Sequence, residues 1–286
     1  MIKVGIVGCG FVGSAVAAGF SLKADVKVYD KYRTGFNTLS EVCNQDIIFL
    51  CLPTPMRKSD GLPEMSYLRS ALNDIRTEVT QVKSLIKKII VIKSTVLPGT
   101  NRRLQTDYPE FIFISNPEFL TARAARLDFI NTARIIIGGD DKEAQRKVFD
   151  LYTTITSHAP MYFCRWEEAE MVKYMCNCYF ALKVAFLNEM YFLAKDNNMD
   201  FDNLKLMWIS DGRIGNSHTE VPGHDGDFGF GGTCFPKDLS ALVHWARNQQ
   251  HPLLTLEAAH ILNERIRIKK DWEVFDDKEA ENATNQ

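Results

Sequence analysis

A length of 286 residues exceeds one average domain and predicts two. A net charge of −2, from 34 basic and 36 acidic residues, gives no support to nucleic-acid or membrane-surface binding, and no apolar run approaches the roughly 18 residues of a membrane span. Seven cysteines, an odd number scattered along the chain, argue against a disulfide framework and read as the reduced thiols of a cytoplasmic protein.

The chain opens on Ile2 to Val7, a short apolar run rich in β-branched residues, which suits a buried parallel strand. It has neither the long apolar core nor the cleavage site of a signal peptide. The run leads straight into Gly8-Cys9-Gly10-Phe11-Val12-Gly13 and then a helix-like stretch, Ser14 to Phe20. The first glycine permits a tight turn, the second lets a pyrophosphate approach the backbone, and the third lets helix pack on strand. The helix N-terminus then meets the phosphate charge, so Gly8, Gly10, Phe11, Val12 and Gly13 are candidate cofactor residues. A second strand, Val26 to Tyr29, ends at Asp30. A carboxylate there accepts from ribose hydroxyls and repels a 2′-phosphate, favouring NAD over NADP, although Lys31 and Arg33 stand close by.

Apolar runs at Ile47–Leu50, Ile89–Ile92, Phe111–Ile114 and Ile135–Ile137 read as further strands, with helices near 65–78, 100–107 and 141–154. This alternation predicts an α/β fold, an N-terminal Rossmann-type doubly wound and mostly parallel sheet over residues 1–160. Ligands of such sheets lie outside the carboxyl ends of the strands, which draws attention to the residues just after each strand. Those rims are Leu52-Pro53-Thr54-Pro55, then Ser94 to Thr100, then Asn116-Pro117-Glu118-Phe119-Leu120. Each alone is ordinary turn chemistry. On one edge of one sheet they favour a site, with Pro53, Thr54, Ser94 and Thr95 toward the cofactor.

From Trp166 to Asn197 there is no Gly or Pro, and one long helix is expected. Phe180, Val184, Phe186, Leu187, Phe192 and Leu193 make its apolar surface too broad for a simple surface helix. It is expected to be buried on several sides and to form the core of a homodimer, within an all-helical domain over 161–270. Lys173 and Asn177 share one face of it, with Asn188 roughly in line. Such a Lys can stabilise a developing oxyanion and the Asn can add a donor, but a solvated surface lysine explains the spacing equally well. Cys176 and Cys178 point to different faces, and no metal site is expected.

Asp200 to Ser210 reads as a short helix, followed by Asp211-Gly212-Arg213-Ile214-Gly215 and a polar loop, Asn216 to Asp227, that is either a substrate-facing lid or plain connection. Then comes Gly229-Phe230-Gly231-Gly232-Thr233-Cys234-Phe235-Pro236-Lys237-Asp238. A lone buried Cys is ordinarily a small hydrophobe. Here the glycines allow close approach of a ligand, while Lys237 and a helix opening at Pro236 are the surroundings that favour a thiolate nucleophile. Leu239 to Arg247 and Leu253 to Lys270 read as helices, the second ending in Arg265, Arg267, Lys269 and Lys270 as a helix C-terminus favours. Residues 271–286 form a polar, acidic tail.

These motifs in this order resemble the UDP-glucose/GDP-mannose dehydrogenase family over about residues 1–270, closest to its UDP-glucose branch. The resemblance rests on GCGFVG, STVLPGT, NPEFL, the helix from Glu170 through Lys173, Asn177 and Asn188-Glu189, the RIG of 213–215 and GFGGTCFPKD. It implies an NAD-dependent four-electron oxidation of a sugar primary alcohol to a carboxylate, with a nucleotide sugar as substrate. Cys234 would be the nucleophile, passing through a thiohemiacetal and a thioester. Asp238 and a water near Thr95 would handle protons, Lys173 and Asn177 would hold the oxyanion, and Glu118 would assist hydrolysis. Phe119, Leu120 and the Phe230–Gly231–Gly232 backbone would line the sugar pocket, Lys237 would join the cofactor set, and Arg213 would reach the substrate of a neighbouring subunit.

Two departures bear on substrate more than on reaction. The family usually continues into a third, Rossmann-like domain that holds the substrate's nucleotide, and this chain stops before it. After NPEFL stands Thr121-Ala122-Arg123-Ala124 in place of the usual pattern. The rivals are a two-electron β-hydroxyacid dehydrogenase, which needs no catalytic Cys, and a non-catalytic NAD-binding subunit that modulates a partner.

Overall fold

Short runs such as Ile47–Leu50 and Ile89–Ile92 carry apolar side chains on both faces, and such strands are stable only where both faces are covered. The computed structural model, which describes residues 1–82, 87–121, 124–156 and 158–272, places them mid-sheet. In chain order the first elements are β1 (Lys3–Val7), α1 (Phe11–Phe20), β2 (Asp25–Tyr29), α2 (Leu39–Cys43), β3 (Ile47–Leu50), α3 (Ser66–Val82) and β4 (Ile89–Ile92). Next come α4 (Thr100–Asp107), β5 (Ile112–Ser115), α5 (Ala125–Ile130), β6 (Ile135–Gly138), α6 (Lys142–Thr153), β7 (Met161–Cys164) and the long α7 (Trp166–Asp196). The chain continues through α8 (Phe201–Ile209), α9 (Phe235–Asn248) and α10 (Leu254–Ile266).

The strands form one seven-stranded sheet in the order β2-β1-β3-β4-β5-β6-β7, the doubly wound arrangement. All neighbours are parallel except β5 and β6, which meet antiparallel through Ser115 and Gly138. Alternate residues of each strand feed two cores. Ile47, Phe49 and Val91 point into one with Phe20, Phe129 and Tyr152; Ile48, Leu50 and Ile90 point into the other with Leu68, Leu72 and Phe113. Phe20 packs its ring 5.4 Å from Phe49, 5.3 Å from Phe129 and 5.1 Å from Tyr152, which ties α1, α5 and α6 to one face.

Three elements escape the apolar patterning. α2 is five residues long and held by a capping box, with Thr38 and Glu41 each bonded to the other's backbone N–H. α5 is six residues long, and β7 is a half-exposed edge strand without β-branched residues.

The chain divides into two compact units, Met1–Thr54 with Glu64–Lys173, and Pro55–Pro63 with Tyr174 onward. In the second unit, α7 is less buried than its composition suggests. Phe186 is 44% exposed and Leu193 53%, in line along the helix with exposed Met175 and Tyr179. The end of α10 also differs from expectation. The helix stops at Ile266 because Arg267 turns to an extended conformation and is buried, its guanidinium spent on Asp225 and the Phe228 carbonyl instead of the helix terminus. The acidic tail beyond Trp272 lies outside the described residues. None of the seven cysteines is in a disulfide, and among the described residues no helix is long and apolar enough to cross a membrane.

Candidate active site

The first unit carries the turn Gly8–Gly13 between β1 and α1. Gly8 has φ +90°, and a Cβ there would meet the Cys51 carbonyl oxygen at 2.5 Å, so only glycine serves. At Gly10 the space is open within 4 Å, and the α1 N-terminus has neither a side-chain cap nor an acidic residue in its first turn. Unpaired amide groups facing open space suit a phosphate. Asp30, after β2, accepts from the Cys9 N–H at 2.7 Å and the Tyr32 N–H at 3.0 Å, while Arg33 donates to the Cys9 carbonyl at 2.8 Å. This set fits a dinucleotide. At the rims of β3 and β4 the hydroxyls serve the backbone: Ser94 accepts from the Leu52 N–H and donates to the Leu52 carbonyl, and Thr54 donates to the Thr95 carbonyl at 2.9 Å.

After β5 the chain delivers Glu118, 8% exposed. Its Oε1 accepts from Lys173 Nζ at 2.9 Å and its Oε2 from the Leu120 N–H at 2.6 Å. Lys173 is buried as well, 4% exposed, so the solvated-lysine alternative fails. Phe119 lies between two cations, with Arg134 4.0 Å and Lys173 5.7 Å from its ring centre.

Glu170, one turn before Lys173 on α7, accepts from the Gly99 N–H at 2.6 Å and from both the backbone and side-chain N–H groups of Asn101 at 2.8 Å. It thereby caps α4 and pins the loop that begins at Ser94. Burial pushes its carboxyl up to about 7, against those three donors, which pull it down. Between pH 4.5 and 7 the folded protein then holds a proton that the unfolded chain has released, so stability falls as pH rises through that window. Relative to Glu170→Gln, the unaltered protein is expected to lose about 3 kcal/mol over this interval, read by chemical denaturation at its two ends.

The second unit carries Cys234 as the N-cap residue of α9, with Pro236 in the first turn. One turn on, buried Asp238 accepts from Asn177 Nδ2 at 2.5 Å and also pairs with Lys237. The loop before Cys234 is fixed by its neighbours. Asn188 accepts from the Gly229 N–H at 3.0 Å, Asn263 accepts from the Phe230 N–H at 2.7 Å and donates to its carbonyl at 3.0 Å, and Asp271 accepts from the Gly232 N–H. A Cβ on Gly231 would overlap the Arg267 guanidinium at 1.9 Å, so this glycine is required by close approach. The loop that begins near Asn216 is tied down by Lys183, which donates to the Gly215 and Ser217 carbonyls, and by His218 stacked 4.2 Å from the Phe180 ring. Among the described residues Arg213 pairs locally, with Asp211, and its side chain is 90% exposed.

Sequence reasoning passed over Lys93, Asn263 and the inward role of Arg267. The signals exist: Lys93 directly follows a strand that is apolar on both faces, and Asn263 and Arg267 continue the buried stripe of Ala259 at four-residue spacing.

A mostly parallel sheet with a glycine-rich first turn, joined to helices that present an N-cap cysteine, defines a Rossmann-type dehydrogenase architecture. Comparison with known proteins identifies which one. Residues 22–156 match the model of the UDP-glucose/GDP-mannose dehydrogenase family, NAD binding domain, and residues 167–265 match that family's central domain. The chain belongs to this family. It is 31% identical over 258 residues to UDP-glucose 6-dehydrogenase TuaD of Bacillus subtilis, covering 87% of this chain and 53% of the relative. It is likewise 31% identical over 232 residues to UDP-glucose 6-dehydrogenase of Rhizobium meliloti, covering 78% and 51%. Among solved structures, a UDP-glucose dehydrogenase from Pyrobaculum islandicum superposes with a TM-score of 0.82 at 28% identity, over 92% of this chain and 68% of that one. The chain spans about half the length of the curated relatives it matches.

Proposed function

We propose that the chain carries the catalytic machinery of an NAD-dependent nucleotide-sugar dehydrogenase that oxidises UDP-glucose to UDP-glucuronate. The observation that supports this most is Cys234 at the N-cap of α9, on a loop held from both sides, one turn before the Asn177–Asp238 pair. Gly8, Gly10, Phe11, Val12, Gly13 and Asp30 would hold NAD, with Pro53, Thr54, Ser94, Thr95 and Lys237 completing its site. Bound there, NAD supplies the hydride acceptor for each of the two oxidations.

Asp238, with a water near Thr95, takes the proton of the sugar's primary hydroxyl. Once the alcohol is an aldehyde, the Cys234 thiolate adds to its carbon, and Lys173 and Asn177 donate to the oxygen on which charge develops. Lys173 can do this while paired with Glu118, because an ammonium has three N–H donors. The second oxidation leaves a thioester on Cys234. A water oxygen then adds to the thioester carbon and Glu118 takes its proton. The C–S bond breaks and Cys234 departs as thiolate. Phe119, Leu120 and the Phe230–Gly232 backbone contact the sugar. The decisive measurement is the NADH formed per UDP-glucose consumed, for which the reaction requires two.

The exposed line of Met175, Tyr179, Phe186 and Leu193 on α7 supports a homodimer built on this helix, in which Arg213 reaches the neighbouring substrate. Sedimentation is expected to give a dimer for the unaltered protein and a monomer for Phe186→Glu with Leu193→Glu. A monomeric unaltered protein would remove this reading.

A further inference from the structure

Lys93 is a buried cation with no part in the reaction above. It comes directly after β4 and is 4% exposed. Its Nζ donates to Asn116 Oδ1 at 3.1 Å and, at a longer 3.4 Å, to the Tyr152 hydroxyl. That hydroxyl donates to the same Asn116 oxygen at 2.6 Å, while Asn116 Nδ2 donates to the Ile136 carbonyl at 2.7 Å. The last bond decides which end of the amide faces the lysine.

Two neutral oxygens therefore hold a charge that burial disfavours. Burial pushes the Lys93 ammonium down to about 8, although Cys51 and Glu118 pull it up; nearby Lys173 pushes it further down. An ammonium has three N–H donors. The third has no oxygen or nitrogen acceptor among the described residues, and the nearest ring, that of Phe129, has its centre 6.0 Å from Nζ.

Lys93 lines a cavity of about 20 Å³ together with Asn116, Glu118, Thr132, Arg134 and Tyr152. That is room for one water molecule, and a buried water is stable where two to four polar groups meet it. Glu118 has the capacity. Each of its oxygens accepts one N–H, from Lys173 and from Leu120, and a carboxylate oxygen accepts two.

We infer that this cavity is the site of one ordered water, accepting from Lys93 and donating to the Glu118 carboxylate, and that Lys93 acts through it as a positioning residue for Glu118 in thioester hydrolysis. The role in hydrolysis rests on the reaction proposed above; the water site does not. Lys93 touches neither substrate nor cofactor in this scheme. It holds the carboxylate in one orientation, and misplacing a reacting group by about 1 Å costs on the order of 10²-fold.

Lys93→Met removes the donor at nearly constant length, Lys93→Arg keeps a donor, and Tyr152→Phe loosens the network should the first variant not fold. A high-resolution crystal structure of the full chain should show the water between Lys93 and Glu118, and that of Lys93→Met should lack it. In rapid mixing with NAD and UDP-glucose, Lys93→Met should form its first NADH at the unaltered rate. Its hydrolysis should slow on the order of 10²-fold, so that a Cys234 adduct accumulates in the intact mass, with partial rescue in Lys93→Arg. A dry cavity in the unaltered protein overturns the inference. Equal slowing of every step together with a lowered Tm overturns the positioning role and leaves Lys93 structural. If the unaltered protein reduces no NAD with any nucleotide sugar, the proposed reaction falls and the positioning role with it, while the crystal density alone decides the water site.

Discussion

Cys234→Ser is expected to stop at one NADH per sugar, with steady-state oxidation to the acid reduced on the order of 10³-fold or more. A serine hydroxyl at neutral pH is a far weaker nucleophile than a thiolate, and the α9 N-cap position does not supply the base that would activate it. Without the covalent adduct the aldehyde has no enzyme-bound tetrahedral carbon from which a second hydride can leave. The exchange is nearly isosteric at a half-buried position, so the fold should survive, which makes the kinetic result interpretable. Spectrophotometric counting of NADH against consumed sugar reads the outcome. Two NADH per sugar at an unaltered rate in the variant would remove Cys234 from the mechanism, and one NADH per sugar in both proteins would promote a two-electron chemistry.

Lys173→Met should cost both stability and turnover. Its ammonium pairs with Glu118 where both side chains are buried, 6% and 8% exposed. Removing one partner leaves the other charge buried and uncompensated, at a cost of about 3–5 kcal/mol. Leu120 still donates to Glu118, which places the loss toward the lower end of that range. Turnover should fall on the order of 10²- to 10³-fold as the oxyanion loses a donor. The double change Lys173→Met with Glu118→Leu separates the two effects, because replacing a buried pair by apolar groups is often neutral for stability. Denaturation should show the double variant recovering stability while activity remains absent. Recovery of activity would show that neither group acts in the chemistry.

Much of the site lay open in the chain. The strand-turn-helix of residues 2–20 and the acid at Asp30 are local patterns whose spacing is set by backbone geometry, so they can be read without knowing what packs against them. Cys234, Pro236 and Lys237 are likewise neighbours in sequence, and the α9 start is set by them. Lys173 could be named from its spacing to Asn177, but spacing does not distinguish a solvated lysine from a buried one. Only the partner decides, and Glu118 stands 55 residues away.

What the amino-acid sequence determined by itself is the class of the fold, the nucleotide-binding turn and the order of the motifs that define the family. These depend on the two-residue period of strands, the 3.6-residue period of helices and the conformational freedom of a few glycines, all of which act over less than a turn or two of chain. The tertiary structure alone decided the antiparallel entry of β6, the burial of Arg267 under the Gly-rich loop, and the meeting of Lys93, Asn116 and Tyr152 at one cavity. Each of these is a pairing across long separations, in which a polar group is stable inside the protein because another segment brings the acceptor that water would otherwise supply.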